Sequence, residues 1–138
     1  MPNQVTVFLE NEKGRLSALC QTLANAKINM SALTVADTTS YGVVRLLVDA
    51  PQEAVDALLE AGYRAKLTEV SAVEIPNVPG SLATLLEAFD TASLNLEYAY
   101  CFASDKDNVV VVFRVEKADS IAKIVEKLGY KLLSSSDL

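Results

Sequence analysis

The 138-residue sequence repeats itself, and that repeat constrains the fold more than any single motif does. A shift of 66 residues lays Val7 on Val73, Leu9 on Ile75, Asn11 on Asn77 and Gly14 on Gly80. It also lays Leu16 on Leu82, Leu19 on Leu85, Leu23 on Phe89 and Asn29 on Asn95. Further on, the shift becomes 67, matching Val44 with Val111, Leu46 with Phe113, Val48 with Val115 and Gly62-Tyr63 with Gly129-Tyr130. The extra residue falls between Asp37 and Tyr41 in copy one, and between Ala103 and Asn108 in copy two. A turn between strands absorbs such an insertion at least cost.

Within each copy the hydrophobic period changes in the same order. Val5, Val7 and Leu9 alternate as a half-buried strand, with Ser71, Val73 and Ile75 as the weaker counterpart. Leu16, Leu19, Cys20 and Leu23 then fall at helical spacing, as do Leu82, Leu85, Leu86 and Phe89. Residues 29–37 and 95–102 read as second strands, and residues 42–48 and 109–115 as third strands, with a bulge near Ser31-Ala32. Pro51 suits the first turn of a second helix that ends at Gly62; its counterpart, with Ile121, Ile124, Val125 and Leu128, ends at Gly129. Short last strands follow at 64–68 and 131–134. The order is βαββαβ, twice. The expected class is α+β: two ferredoxin-like units, residues 1–69 and 70–138, each an antiparallel sheet with helices on one face. Thr68-Glu69-Val70-Ser71 holds no Gly or Pro, so strand is expected to run from one copy into the next with hardly a break.

Composition removes several function classes. Half the residues are apolar, about a fifth are charged, and the net charge is −6 with no basic run, so nucleic acid is a poor partner. The start shows neither a charged n-region nor an apolar h-region, and no apolar stretch approaches a bilayer span; no membrane partner is expected, and the location expected is cytoplasmic. Cys20 and Cys101, without pairing or metal spacing, read as two buried reduced thiols. The absence of histidine removes Ser-His-Asp and Cys-His catalysis and most transition-metal sites, and no cofactor or metal is expected.

The copies agree best at the first strand-to-helix turn and at the start of the second strand. Copy one reads Asn11-Glu12-Lys13-Gly14-Arg15-Leu16 and later Ile28-Asn29-Met30. Copy two reads Asn77-Val78-Pro79-Gly80-Ser81-Leu82 and later Leu94-Asn95-Leu96. Asn, then Gly three residues on, then Leu, then an Asn between two aliphatics resembles the signature of the ACT domain family, copy two more closely through its Asn-x-Pro-Gly. Across nearly the whole chain, this is similar to tandem ACT proteins with no attached enzyme. The resemblance implies a regulatory protein that senses an amino acid at interfaces between ACT domains, formed between the two copies or between chains, and passes the signal to a metabolic enzyme. The implied ligand-binding residues are Asn11, Gly14, Arg15, Leu16, Asn29, Met30, Asn77, Val78, Pro79, Gly80, Ser81, Leu82, Asn95 and Leu96.

The chemistry of these positions suits a zwitterion. A helix N-terminus offers free N–H groups and partial positive charge to a carboxylate. Glycine lets backbone approach a ligand and takes φ values barred to other residues. An Asn side chain has an acceptor for ammonium and a donor for carboxylate. A purely structural alternative stands beside this: Asn11 and Asn77 as turn formers before a helix, and Asn29 and Asn95 as strand starts after tight turns. Lys13 and Arg15, where copy two has Pro79 and Ser81, favour an acidic ligand or are a solvated loop.

Three function classes remain. Besides the amino-acid sensor there is a ligand-free assembly subunit, and a small ferredoxin-like enzyme using residues such as Tyr98, Tyr100 and Asp37. Without paired carboxylates or a nucleotide loop, the third has least behind it, and the chain is read as no enzyme. Val110 and Val112, with Tyr98, Tyr100 and Phe102 on the neighbouring strand, are expected on the sheet face away from the helices, where a homodimer partner or a regulated enzyme would cover them, unless the two repeats cover each other.

Overall fold

In a computed structural model that describes residues 1–37 and 41–138, the chain divides into two compact units. One is Asn3–Thr68, with Leu138; the other is Glu69–Asp137, with Met1–Pro2. The N-terminal dipeptide is held in the latter by the Val70 N–H, which donates to the Pro2 carbonyl over 3.0 Å.

The first unit runs β1 (Asn3–Glu10), α1 (Arg15–Asn25), β2 (Met30–Asp37), β3 (Tyr41–Val48), α2 (Pro51–Glu60) and β4 (Arg64–Glu69). The second runs β5 (Ser71–Pro76), α3 (Ser81–Thr91), β6 (Leu96–Ala103), β7 (Asn108–Val115), α4 (Ile121–Leu128) and β8 (Lys131–Leu132). The strand orders are β2-β3-β1-β4 and β6-β7-β5-β8, and the described β1–β3, β2–β3, β5–β7, β5–β8 and β6–β7 pairs are all antiparallel. The α+β class and the βαββαβ order are as the sequence predicts. Only Val70 separates β4 from β5.

Each core forms where the strand and helix periods meet. Val5, Val7, Val44 and Leu46 pack under Leu19, Leu23, Val55 and Leu58 in the first unit. Val73, Val111 and Phe113 pack under Leu85, Phe89, Ile121 and Val125 in the second, where the Phe89 and Phe113 rings lie 5.0 Å apart at a 51° tilt. The bulge expected near Ser31 is present: the register slips between Met30 and Ala32, and again between Leu96 and Tyr98. It moves Leu33 and Val35 to the helix side, opposite Leu46 and Val44. In the second unit the same slip sends Tyr98, Tyr100 and Phe102 to the other face, opposite Arg114, Val112 and Val110. On that face Ala72, Val110 and Val112 are buried.

All four helices close the same way. The N–H groups of Ile28, Tyr63, Leu94 and Tyr130 reach back to the carbonyls of Leu23, Leu58, Phe89 and Val125, and the preceding N–H groups to those of Ala24, Leu59, Asp90 and Glu126. This is the Schellman pattern, with a left-handed residue past the helix end. Gly62 and Gly129 fill that position in α2 and α4, as the sequence predicts; Lys27 (φ 61°) and Ser93 (φ 57°) fill it in α1 and α3.

One expectation fails. Cys101 is exposed, not packed in the core, and Cys20 is half-buried. The helices do not reach the edge strand, so Ala99, Cys101 and Ala103 stand uncovered on its helix side, as do Leu33 and Val35 in the first unit. Partial burial of its sulfur still pushes the Cys101 thiol pKa up. The extra-residue position between Asp37 and Tyr41 and the Asp37 side chain lie outside the described residues.

Candidate functional site

The two strand-to-helix turns have one construction. Gly14 (φ 84°) and Gly80 (φ 92°) are the helix N-caps, both left-handed and without a side-chain cap. Their carbonyls accept from Ala18 and Thr84 over 3.0 and 2.9 Å, while the Arg15 and Ser81 N–H groups turn back to Glu12 and Val78. The next N–H groups of each helix, on Leu16 and Leu82 and beyond, are left for an external acceptor. A left-handed residue here costs an L side chain about 1–2 kcal/mol, which is why glycine occupies both positions.

Leu16 and Leu82 sit in the first helical turn, and helical spacing marks them as core. They are 37% and 39% exposed, so the core stripe begins one turn later, at Leu19 and Leu85. Leu16 instead helps line a small cleft of about 130 Å³ with Asn11, Arg15, Val35 and Gly42. Here the loop residues, the edge strand and the helix start come together.

Arg15 does not stand free in that cleft. Its guanidinium reaches Glu10 at 3.1 Å and Glu12 at 3.5 Å, which offsets the charge that copy one carries in this loop. In the second unit Ser81 is buried, Val78 and Pro79 are exposed, and Asn77 is tied to the β6–β7 hairpin. The Asn77 N–H donates to the Asp107 carbonyl over 2.8 Å, and its Nδ2 lies 3.5 Å from the Lys106 carbonyl.

Asn29 and Asn95 lie elsewhere. Val5 pairs with Leu46 and Met30 with Val48, whereas Glu10 pairs with Tyr41 and Asp37 with Gly42. Asn29 and Met30 therefore lie at the start of the sheet and Gly14 beyond its far end, about 16 Å away by the length of an 11-residue helix. Asn95 and Leu96 stand in the same relation to Gly80. Asn29 is fixed through its backbone, its N–H donating to Asp49 Oδ1 and its carbonyl accepting from the Asp49 N–H, both at 3.1 Å. Within a single unit the two halves of the sequence-predicted site do not meet.

Among the described residues no group of three or more Cys, Asp or Glu is placed to hold a metal ion, and no helix is long and apolar enough to cross a membrane. Sequence reasoning missed a larger cleft in the first unit, about 520 Å³, whose walls include Phe8, Tyr63 and Arg64.

Two βαββαβ units, each with a glycine-capped turn from strand one to helix one, define a pair of ACT domains. The chain belongs to the family of ACT domain pairs, which it matches over residues 2–138. It is similar to protein BT0572 from Bacteroides thetaiotaomicron, with 34% identity over 99% of this chain and 94% of that one and a TM-score of 0.92. The regulatory subunit of aspartate kinase from Thermus thermophilus shares the fold, at 22% identity over 91% of each chain and a TM-score of 0.68. So does the regulatory subunit of aspartate kinase from Thermus flavus, at 20% identity over 91% of this chain and 90% of that one and a TM-score of 0.64. No curated protein matches the chain.

Proposed function

We propose that the chain is a non-catalytic regulatory protein that binds an amino acid at its ACT turns and passes the signal to a partner enzyme. One observation carries the reading: both units build the same uncapped helix start behind a left-handed glycine and leave the following leucine exposed. The exposed Leu16 and Leu82 place an apolar side chain beside each turn. The resemblance of the fold to aspartate kinase regulatory subunits supports a regulatory role.

The separation of Asn29 from Gly14 bears on assembly. A ligand held by both kinds of residue needs the turn of one ACT unit and the strand start of another, and a second copy of this chain supplies the complement. The edge strand β2 suits such a partner. Leu33 and Val35 are 42% and 46% exposed on its helix side, beside an unpaired strand edge of the kind that attracts another chain. The same edge is the observation favouring the second reading, an assembly subunit that docks on its enzyme and binds no ligand.

A thermal-shift screen of the twenty amino acids separates the two readings. A ligand that binds only the folded state at 100 times its Kd adds about 2.7 kcal/mol and raises Tm by several degrees. The sensor reading expects one amino acid, or a related few, to do so. No shift with any of them, together with co-purification of an enzyme, supports the assembly role instead.

A further inference from the structure

The larger cleft of the first unit lies between the end of β1, the first turn of α1 and the α2–β4 turn. It opens toward β4, whereas the small loop cleft opens toward β2 and β3. Phe8, 39% exposed, forms one wall, and the Arg64 guanidinium and the Lys66 ammonium each lie 6.0 Å from the centre of its ring. Tyr63 forms another wall, with its ring against the core. Glu10 and Arg15 also border the cleft; Arg15 is shared between Glu10 at 3.1 Å and Glu12 at 3.5 Å, so this trio sets one net negative charge against the two cations Arg64 and Lys66. Arg64 and Lys66 therefore set the sign of the site.

The second unit is a built-in contrast. Glu74 stands in place of Phe8, Ser81 in place of Arg15 and Leu133 in place of Lys66. There the Tyr130 hydroxyl is spent on the Ser81 carbonyl, 3.4 Å away. The flat apolar wall and the doubled cation belong to the first unit alone.

We propose that this cleft binds a small aromatic carboxylate. Its ring lies against the exposed edge of Phe8, and its carboxylate meets the Arg64 guanidinium with Lys66 adding charge. The two cations disfavour an ammonium group, so this ligand class differs from the zwitterion of the ACT turn, and the proposal does not rest on the amino-acid reading. The site lies across β1 from the small cleft, with the Arg15–Glu10 pair shared between them.

The test is calorimetric titration of the full chain with 3-phenylpropanoate, butanoate and 3-phenylpropylamine at one ionic strength. The expected result is saturable binding of 3-phenylpropanoate, binding of butanoate about tenfold weaker or less, and none of the amine; tenfold corresponds to 1.4 kcal/mol. Phe8→Ala and Arg64→Gln, both surface changes, are each expected to weaken 3-phenylpropanoate by about tenfold. Lys131→Gln in the second unit is expected to leave it unchanged. Equal binding of 3-phenylpropanoate and butanoate overturns the proposal, as does wild-type affinity in both Phe8→Ala and Arg64→Gln. A Gly80→Val chain that loses an amino-acid shift but keeps 3-phenylpropanoate binding separates the fate of this site from that of the ACT turn.

Discussion

The Tyr130 hydroxyl donates to the Ser81 carbonyl across 3.4 Å, linking the residue after α4 to the first residue of α3; its counterpart Tyr63 lies in the wall of a cleft. One fold, duplicated, thus puts the same tyrosine to two uses. Removing the hydroxyl should register only where it is bonded. Tyr130→Phe is expected to cost about 0.5–1.5 kcal/mol, and Tyr63→Phe a few tenths at most, in denaturant unfolding of the two variants. Equal losses would mean that the bond contributes nothing specific.

The two N-cap glycines make a second prediction. A Cβ built at Gly14 or Gly80 meets nothing within 4 Å, so any cost of substitution comes from backbone conformation and not from a clash. Gly14→Ala and Gly80→Ala are each expected to lose about 1–2 kcal/mol, and the asparagine variants less, since Asn tolerates the left-handed region better. A larger loss for Asn than for Ala would point to steric crowding instead.

The helix ends at Lys27 and Ser93 offer the reverse change. Both hold left-handed φ values without being glycine. Ser93→Gly relieves that strain at some cost in unfolded-chain entropy, leaving an expected gain of about 0.5–1 kcal/mol. A higher midpoint of urea unfolding with an unchanged slope would show it; an unchanged or lower midpoint would place the strain elsewhere.

The β6–β7 hairpin is expected to loosen in acid. The Asp107 N–H (2.7 Å), the Asn108 side chain and the Asn108 N–H all donate to the Asp105 carboxylate and hold its pKa below the ordinary carboxylate value. A depressed folded pKa means the stabilisation is complete above the ordinary value and is lost as pH falls through the folded one. The Asp107 and Asn108 amide resonances should titrate together with a midpoint below about 3.9, the usual Asp value. A midpoint at or above that value would show that the bonds are not formed in solution.

Most of the fold is written in periodicity. The repeat places Val7 over Val73 and Gly14 over Gly80, and the change from alternation to helical spacing locates every regular helix and strand to within about two residues. What periodicity does not carry is which side of an edge strand is covered. Cys101 reads as core because it is an apolar residue in a strand, yet no helix extends over it, just as none covers Val35 in the first unit. The helix ends at Lys27 and Ser93 gave no signal, because the left-handed cap there is not glycine. Of the site, the glycine turns and their neighbours were legible as motif, but the distance between Gly14 and Asn29 was not; it follows from α1 carrying the chain back along the sheet. The Phe8 cleft left almost no trace in sequence beyond Arg64 and Lys66 alternating on one strand.

The most direct test of the regulatory reading is calorimetric titration of the chain with each amino acid that shifts its melting point, on wild type and on Gly80→Val and Gly14→Val variants, with the mass in solution measured alongside. The account predicts saturable binding by the wild type, loss of that binding in at least one folded variant, and a mass of twice 14.8 kDa in the presence of ligand. A chain that remains a 14.8 kDa monomer and gives no saturable heat with any of the twenty would contradict it.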